Sequence, residues 1–258
     1  SADGYVHVDV PALPPHSELF YVFLQGAAPA FSGRSAVGRL VTAPMPGQKP
    51  VARFGGTSCA DNSKAPFPAL EKAGAEKFDF FILAGDTTYN DSATTLSQYR
   101  AKWLGQVGQS TYRSLLSSTG NFATWDDHEV ANDWNPETID KTRLANATQA
   151  FFEHLPVRRH TSEANRIWRS ASWGDTLEIF VLDSRSERKP STASGPNAQY
   201  LSPAQLSWLQ SGLVASTATF KIIVTSVPIT NMPALWDLYA VDRWEGYPAQ
   251  RKKLLDHI

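Results

Sequence analysis

The sequence predicts an α/β fold preceded by a partial all-β stretch, and three observations carry that reading. Phe78–Asn90 reads FDFFILAGDTTYN: the apolar residues Phe78, Phe80, Phe81, Ile82, Leu83 and Ala84 run straight into Gly85-Asp86. A short, aromatic-rich apolar run of this kind reads as a strand buried on both faces. From Val51 onward the chain follows a strand–loop–helix rhythm. Before it, residues 5–10 (YVHVDV), 19–25 (LFYVFLQ) and Arg39–Thr42 favour strands, and Ala43–Pro50 is rich in Pro and Gly.

Taken in order, residues 1–44 read as part of a sandwich-like β-domain, with about three strands visible where such a domain needs about seven. Residues 45–50 are the linker and 51–258 the core. In the core, Val51–Phe54 is a short strand ending at Gly55-Gly56, Phe67–Ala75 a helix, and Phe78–Ala84 the buried strand. Asp91 or Ser92 can cap a helix over Thr94–Leu104, and Thr111–Ser117 continues helically. Phe122–Trp125 is a short apolar run. Asn135-Pro136 reads as an N-cap with Pro at the first helical position, opening a helix that runs to His154 and stops before Pro156. Thr176–Leu182 is a strand. Ser202-Pro203-Ala204-Gln205 reads as a capping box opening a helix to Ala215. Phe220–Ser226 is a further strand and Pro248–Ile258 a last helix.

With 258 residues, 42% hydrophobic and 19% charged, the chain fits one large globular domain or a main domain with an appendage. No apolar run approaches the ~20 residues of a membrane span. A formal net charge of -1 gives no general field for nucleic acid or a membrane surface. One cysteine excludes an intrachain disulfide and fits either redox compartment.

The chemistry gathers at strand ends. Asp86 sits where the buried strand leaves the sheet, the edge at which open α/β sheets place ligands. Phe122–Trp125 runs into Asp126-Asp127-His128-Glu129, four ionisable groups that repel one another unless a cation or buried partner offsets them. With Asp86, Tyr89 and Asn90 they form a set of oxygen ligands and one imidazole, which points to a metal centre. Each residue also has a plainer reading. Asp86 alone would be a turn residue, Cys59 a small buried hydrophobe, and Arg185 half of a surface pair with Asp183. His7, His16, His154 and His160 fit structural or surface positions.

The order and spacing of these stretches resemble the alkaline phosphatase D-type metallophosphatases, a branch of the calcineurin-like phosphoesterases. Gly85-Asp86-x-x-Tyr89 followed by Trp125-Asp126-Asp127-His128-Glu129 carries the resemblance. Thr57-Ser58-Cys59, Leu182-Asp183-Ser184-Arg185 and Asp242-Arg243-Trp244-Glu245-Gly246-Tyr247-Pro248 agree with it. It covers Val51 to Ile258. It implies an αββα sandwich core that hydrolyses phosphate monoesters or diesters with a metal-bound hydroxide. The metals implied are Fe(III) and Ca(II), or other divalent ions, held by Cys59, Asp86, Tyr89 and Asp127.

His128 then assists the leaving group or polarises phosphate, and Asn132 faces the substrate. Arg185 contacts phosphate, which its planar fork fits bidentately. The resemblance also implies a secreted, periplasmic or cell-surface location. In the family a further strand ending in Gly-Asp-x-His follows the helix that matches Pro248–Ile258. The core is therefore expected to be incomplete at its C-terminus, with a missing segment or a second chain completing it. The alternatives are a phospholipase D-like phosphodiesterase on the same scaffold and a non-catalytic binding fragment.

Overall fold

The structure is a computed structural model that describes residues 3–231 and 240–258. Near the N-terminus, Glu18–Tyr21 (β1), Leu24–Ala27 (β2), Ala30–Arg34 (β3) and Gly38–Val41 (β4) form two antiparallel ribbons, β1 with β4 and β2 with β3. Residues 5–10, expected as a strand, form none: Val6, Val8 and Val10 are exposed. Alternating apolar residues make a strand only where a neighbour pairs with them, and here polar contacts hold the segment instead. Tyr5 Oη lies 3.2 Å from His154 Nε2, and Arg158 meets Asp9 at 2.8 Å. The β1–β4 ribbon is pinned to the core by Arg39, whose Nη1 donates to the carbonyls of Phe78 (2.8 Å) and Ser118 (3.1 Å).

Phe54–Thr57 (β5), Phe80–Ala84 (β6) and Gly120–Thr124 (β7) form a parallel sheet in that order. Arg169–Trp173 (β8), Leu177–Val181 (β9) and Phe220–Val224 (β10) form a second sheet with β9 in the middle, parallel to β10 and antiparallel to β8. Side chains alternate between the faces of a strand, and β6 uses both. Phe80 and Ile82 join Trp173, Leu177, Ile179, Val181 and Val224 in the core between the sheets. Phe81 and Leu83 point the other way, into a core with Leu70, Tyr99, Trp103, Tyr112, Leu115 and Phe151. Those partners come from Pro68–Ala75 (α1), Leu96–Val107 (α2), Ser110–Ser118 (α3) and Lys141–His154 (α4). Phe180 packs outward against Leu206 and Leu209 of Pro203–Ala215 (α5) and Leu254 of Pro248–Leu255 (α6). The layers are helices, sheet, sheet, helices. No helix among the described residues is long and apolar enough to cross a membrane.

Several boundaries differ from the sequence reading. β5 runs through Gly55 and Gly56 rather than ending there; a Cβ on Gly55 would stand 2.7 Å from the Phe81 ring. Thr95, not Asp91 or Ser92, caps α2, in a capping box with Gln98. Asn135 accepts from Glu137 N at 2.8 Å within a turn, and α4 starts later, capped by Asp140. Ser202 caps α5 as expected, but the Gln205 side chain accepts from Asp183 N at 2.9 Å instead of closing the box. β8 was not foreseen, because Arg169, Ser170, Ala171 and Ser172 give no apolar periodicity.

Candidate metal centre

β5, β6, β7 and β9 deliver Cys59, Asp86, Asp126–Glu129 and Asp183–Arg185 from their carboxyl ends to one edge of the sandwich. The turn after β6 is tight. Gly85 has φ +99°, and a Cβ there would stand 2.7 Å from Asp126 Cβ. Asp86 (φ 53°) and Cys59 (φ 55°) also take the left-handed conformation, which costs a residue with a side chain about 1–3 kcal/mol and marks functional sites. Glu129 holds this arrangement. Fully buried, it accepts the N–H groups of Asp86 (3.0 Å), Thr87 (2.6 Å) and Asp126 (2.9 Å). Asn90 ties the two loops together, donating its N–H to His128 O (2.8 Å) and its amide to Glu129 O (3.0 Å).

The run Asp126–Glu129 therefore divides its roles. Glu129 serves backbone, Asp126 faces Arg185, and Asp127 and His128 turn to Asp86. Ligand atoms of Asp86, Asp127 and His128 all lie within 4.8 Å of one another. Burial and the charges of Asp126 and Asp127 push the Asp86 carboxyl up to about 7. A bound cation reverses that logic, so the crowding of carboxylates fits a metal. Burial alone would lower the pKa of His128, but the Asp91 hydrogen bond and the charges of Asp127 and Asp86 raise it on balance. Asp91 meets Nδ1 at 2.8 and 2.9 Å, and such a partner fixes the tautomer of a ligand or acid–base imidazole.

Cys59 is exposed rather than a buried hydrophobe, and its Sγ donates to Asp86 Oδ2 at 3.4 Å. Desolvation and Asp86 push the thiol up to about 11, so only a cation would make it a thiolate at neutral pH. The Tyr89 ring stacks on His128 at 4.0 Å between centroids, and desolvation and Asp86 raise the phenol. Asn132 is exposed. Its N–H donates to Asp91 Oδ1 at 2.6 Å and its amide to Asp133 Oδ2 at 2.7 Å.

Arg185 is 2% exposed. Its Nε donates to Asp126 Oδ1 at 2.6 Å, its fork takes both oxygens of Asp242, and Nη2 stands 3.6 Å from Asp127 Oδ1. Asp183 does not pair with the guanidinium; its Oδ1 accepts from Arg185 N, Ser186 N and Trp125 Nε1. A direct phosphate contact from Arg185 would thus require a carboxylate to give way. Sequence reasoning missed Asp91 as a partner of His128, the backbone role of Glu129, and the hold of Asp242 on Arg185 and Arg188. Asp242 lies 57 residues from Arg185, a separation that leaves no local pattern to read.

Residues 54–258 match the family model of the PhoD-like phosphatases. Alkaline phosphatase D of Bacillus subtilis (strain 168) is similar, 27% identical over 301 residues that take in 98% of this chain and 50% of that protein. The chain therefore spans half the length of that curated relative. A solved structure of PhoD is similar with a TM-score of 0.82 at 24% identity, covering 95% of this chain and 54% of that one. Purple acid phosphatase PPD1 from yellow lupin (Lupinus luteus) seeds is similar with a TM-score of 0.55 at 15% identity, covering 82% of this chain and 36% of that one.

Proposed function

Because the chain belongs to the PhoD-like phosphatase family, we propose that it is a metal-dependent phosphoesterase hydrolysing phosphate monoesters, diesters or both. The observation that carries this reading is the convergence of Asp86, Asp127 and His128 ligand atoms within 4.8 Å at the carboxyl edge of β6 and β7. Cys59, Asp86 and Tyr89 would hold one Fe(III), whose affinity for phenolate and thiolate suits that set. Asp127, with Asp86, would hold Ca(II), which takes carboxylate oxygen. When bound, the metals supply neutralising charge for phosphate and lower the pKa of an attacking water towards ~7.

The chain's own residues do the rest. His128, with Nδ1 engaged by Asp91, keeps Nε2 for a proton passed to or from the substrate. Asn132, exposed beside this pair, offers a neutral contact to the substrate. Arg185 contributes fixed positive charge beside Asp126 and Asp127, and its direct contact with phosphate awaits release by Asp242. The reading places the protein outside the cytoplasm, as a secreted, periplasmic or cell-surface enzyme.

Rates on p-nitrophenyl phosphate and bis(p-nitrophenyl) phosphate, before and after chelation, test the reaction. Hydrolysis of at least one ester, lost with chelator and restored by metal, is expected, and the ratio of the two rates separates monoesterase from diesterase. Hydrolysis untouched by chelation, or none from metal-loaded protein, would contradict it.

A further inference from the structure

One carboxylate, that of Asp242, holds two buried arginines. It accepts from Nη1 and Nη2 of Arg185, Nη2 at 2.8 Å, and its Oδ1 stands 2.6 Å from Nη1 of Arg188, which donates to the Asp242 main-chain carbonyl at 2.8 Å. Both arginines are 2% exposed. The other side of the Arg185 guanidinium faces the carboxylates at the end of β7: Nε meets Asp126 at 2.6 Å and Nη2 stands 3.6 Å from Asp127 Oδ1. That last separation is too long for a hydrogen bond.

Asp127 offers its two oxygens unequally. Oδ2 accepts the N–H of Asp133 at 2.6 Å, which leaves Oδ1 for whichever positive charge reaches it. A cation at the Asp86–Asp127–His128 cluster and the Arg185 fork are rivals for that oxygen. Arg185 is held away because a bidentate carboxylate takes one N–H of each Nη group and fixes the plane of the fork.

We propose that Asp242 is a positioning residue of the metal centre: by holding the Arg185 fork it keeps Nη2 off Asp127 Oδ1 and leaves that oxygen to the cation. The inference rests on the reading of this cluster as a metal site. Removing the charge of Asp242 leaves the buried guanidinium with Asp126 alone and its fork without a charged partner, and Asp127 Oδ1 is 3.6 Å away. Pairing there would set Arg185 in competition with the metal. Arg185 thus acts on the centre according to where Asp242 points it.

Calorimetric titration of chelator-stripped protein with Ca(II) alone tests this in four forms: the unmodified chain, Asp242→Asn, Arg185→Gln and the double variant. Asp242→Asn should weaken Ca(II) binding by about tenfold, the lower end for residues that orient metal ligands. In the Arg185→Gln background the same substitution should change affinity by less than about twofold, because the competing cation is gone and the two sites are coupled. A merely structural Asp242 would instead weaken binding equally in both backgrounds, and that result, or no loss in Asp242→Asn, would overturn the proposal. If Asp242→Asn does not fold, Asp242→Glu, which keeps the charge but shifts the fork, should show a smaller loss in the same direction; unchanged affinity there would also overturn it. Failure of the unmodified chain to bind Ca(II) would overturn the metal reading itself, a different outcome from equal binding by wild type and variant.

Discussion

Glu129 is a buried acid whose work is done on the backbone. Its three N–H donors come from the loops after both β6 and β7, so Glu129→Gln replaces an acceptor with a donor that faces at least one of them. Leaving a buried N–H without an acceptor costs about 1–3 kcal/mol. Urea unfolding of the metal-stripped variant should show that loss; unchanged stability would return Glu129 to a passive role. Asp86 gives a pH signature. Its carboxyl stands at about 7 in the folded chain without metal, against about 4 when unfolded. Between those values the folded chain holds the extra proton, so this group's contribution is whole below about pH 4 and is lost as pH rises through 7. Metal-stripped protein should therefore lose thermal stability across that window, and Asp86→Asn should flatten the slope. Equal slopes in the two proteins would mean that Asp86 is not perturbed. Tyr89 reports on iron: if it binds Fe(III), the loaded protein absorbs visible light through phenolate-to-iron charge transfer, and Tyr89→Phe bleaches it. A colourless, iron-free and active protein would leave the centre to other metals.

β6 shows how an uninterrupted apolar run becomes a two-sided strand. Its residues alternate between the inter-sheet core and the helical core, so neither face can turn polar. Leu83, fully buried, should cost about 3 kcal/mol when cut to Ala, read as a lower urea midpoint with an unchanged slope. A loss below about 1 kcal/mol would mean that the helical layer packs loosely there. This element was legible because burial on both faces writes itself into composition. The same holds for α5, where Ser202 and Pro203 announce the start, and for Asp86 and Asp127, whose place at strand ends follows from the strands. β8 was not legible, since Ser170 and Ser172 face solvent and its residues before Trp173 are small or polar. α4 began later than Asn135-Pro136 suggested, because Asn135 spends its side chain on a local turn and Asp140 makes the cap. The strand expected at residues 5–10 had the right alternation, but only Tyr5 makes a β-bridge and residues 6–10 take no strand. Asp91 was legible as a capping residue in type but not in place: Thr95 took the helix, and Asp91 went to His128.

Across the molecule, the site lies where the two sheets meet, and tertiary contacts decide its geometry. Thr124 Oγ1 donates to Leu182 O at 2.6 Å, Trp125 Nε1 to Asp183 at 3.0 Å, and Ser226 Oγ to Asp126 at 3.0 Å. Each contact joins the end of β7 to the second sheet or the turn beyond β10. Such pairings, 58 to 100 residues apart, have no local signature, which is why the strand-end carboxylates could be picked out from sequence while their partners could not. On the proposed reading, this junction is a metal centre with Asp86 at its heart. Elemental analysis of the purified chain beside Asp86→Asn tests it most directly. Stoichiometric metal is expected in the unmodified protein and the loss of at least one metal ion in the variant, because an amide cannot replace a carboxylate that offsets cationic charge. Equal metal content in the two folded proteins, or none in either, would contradict it.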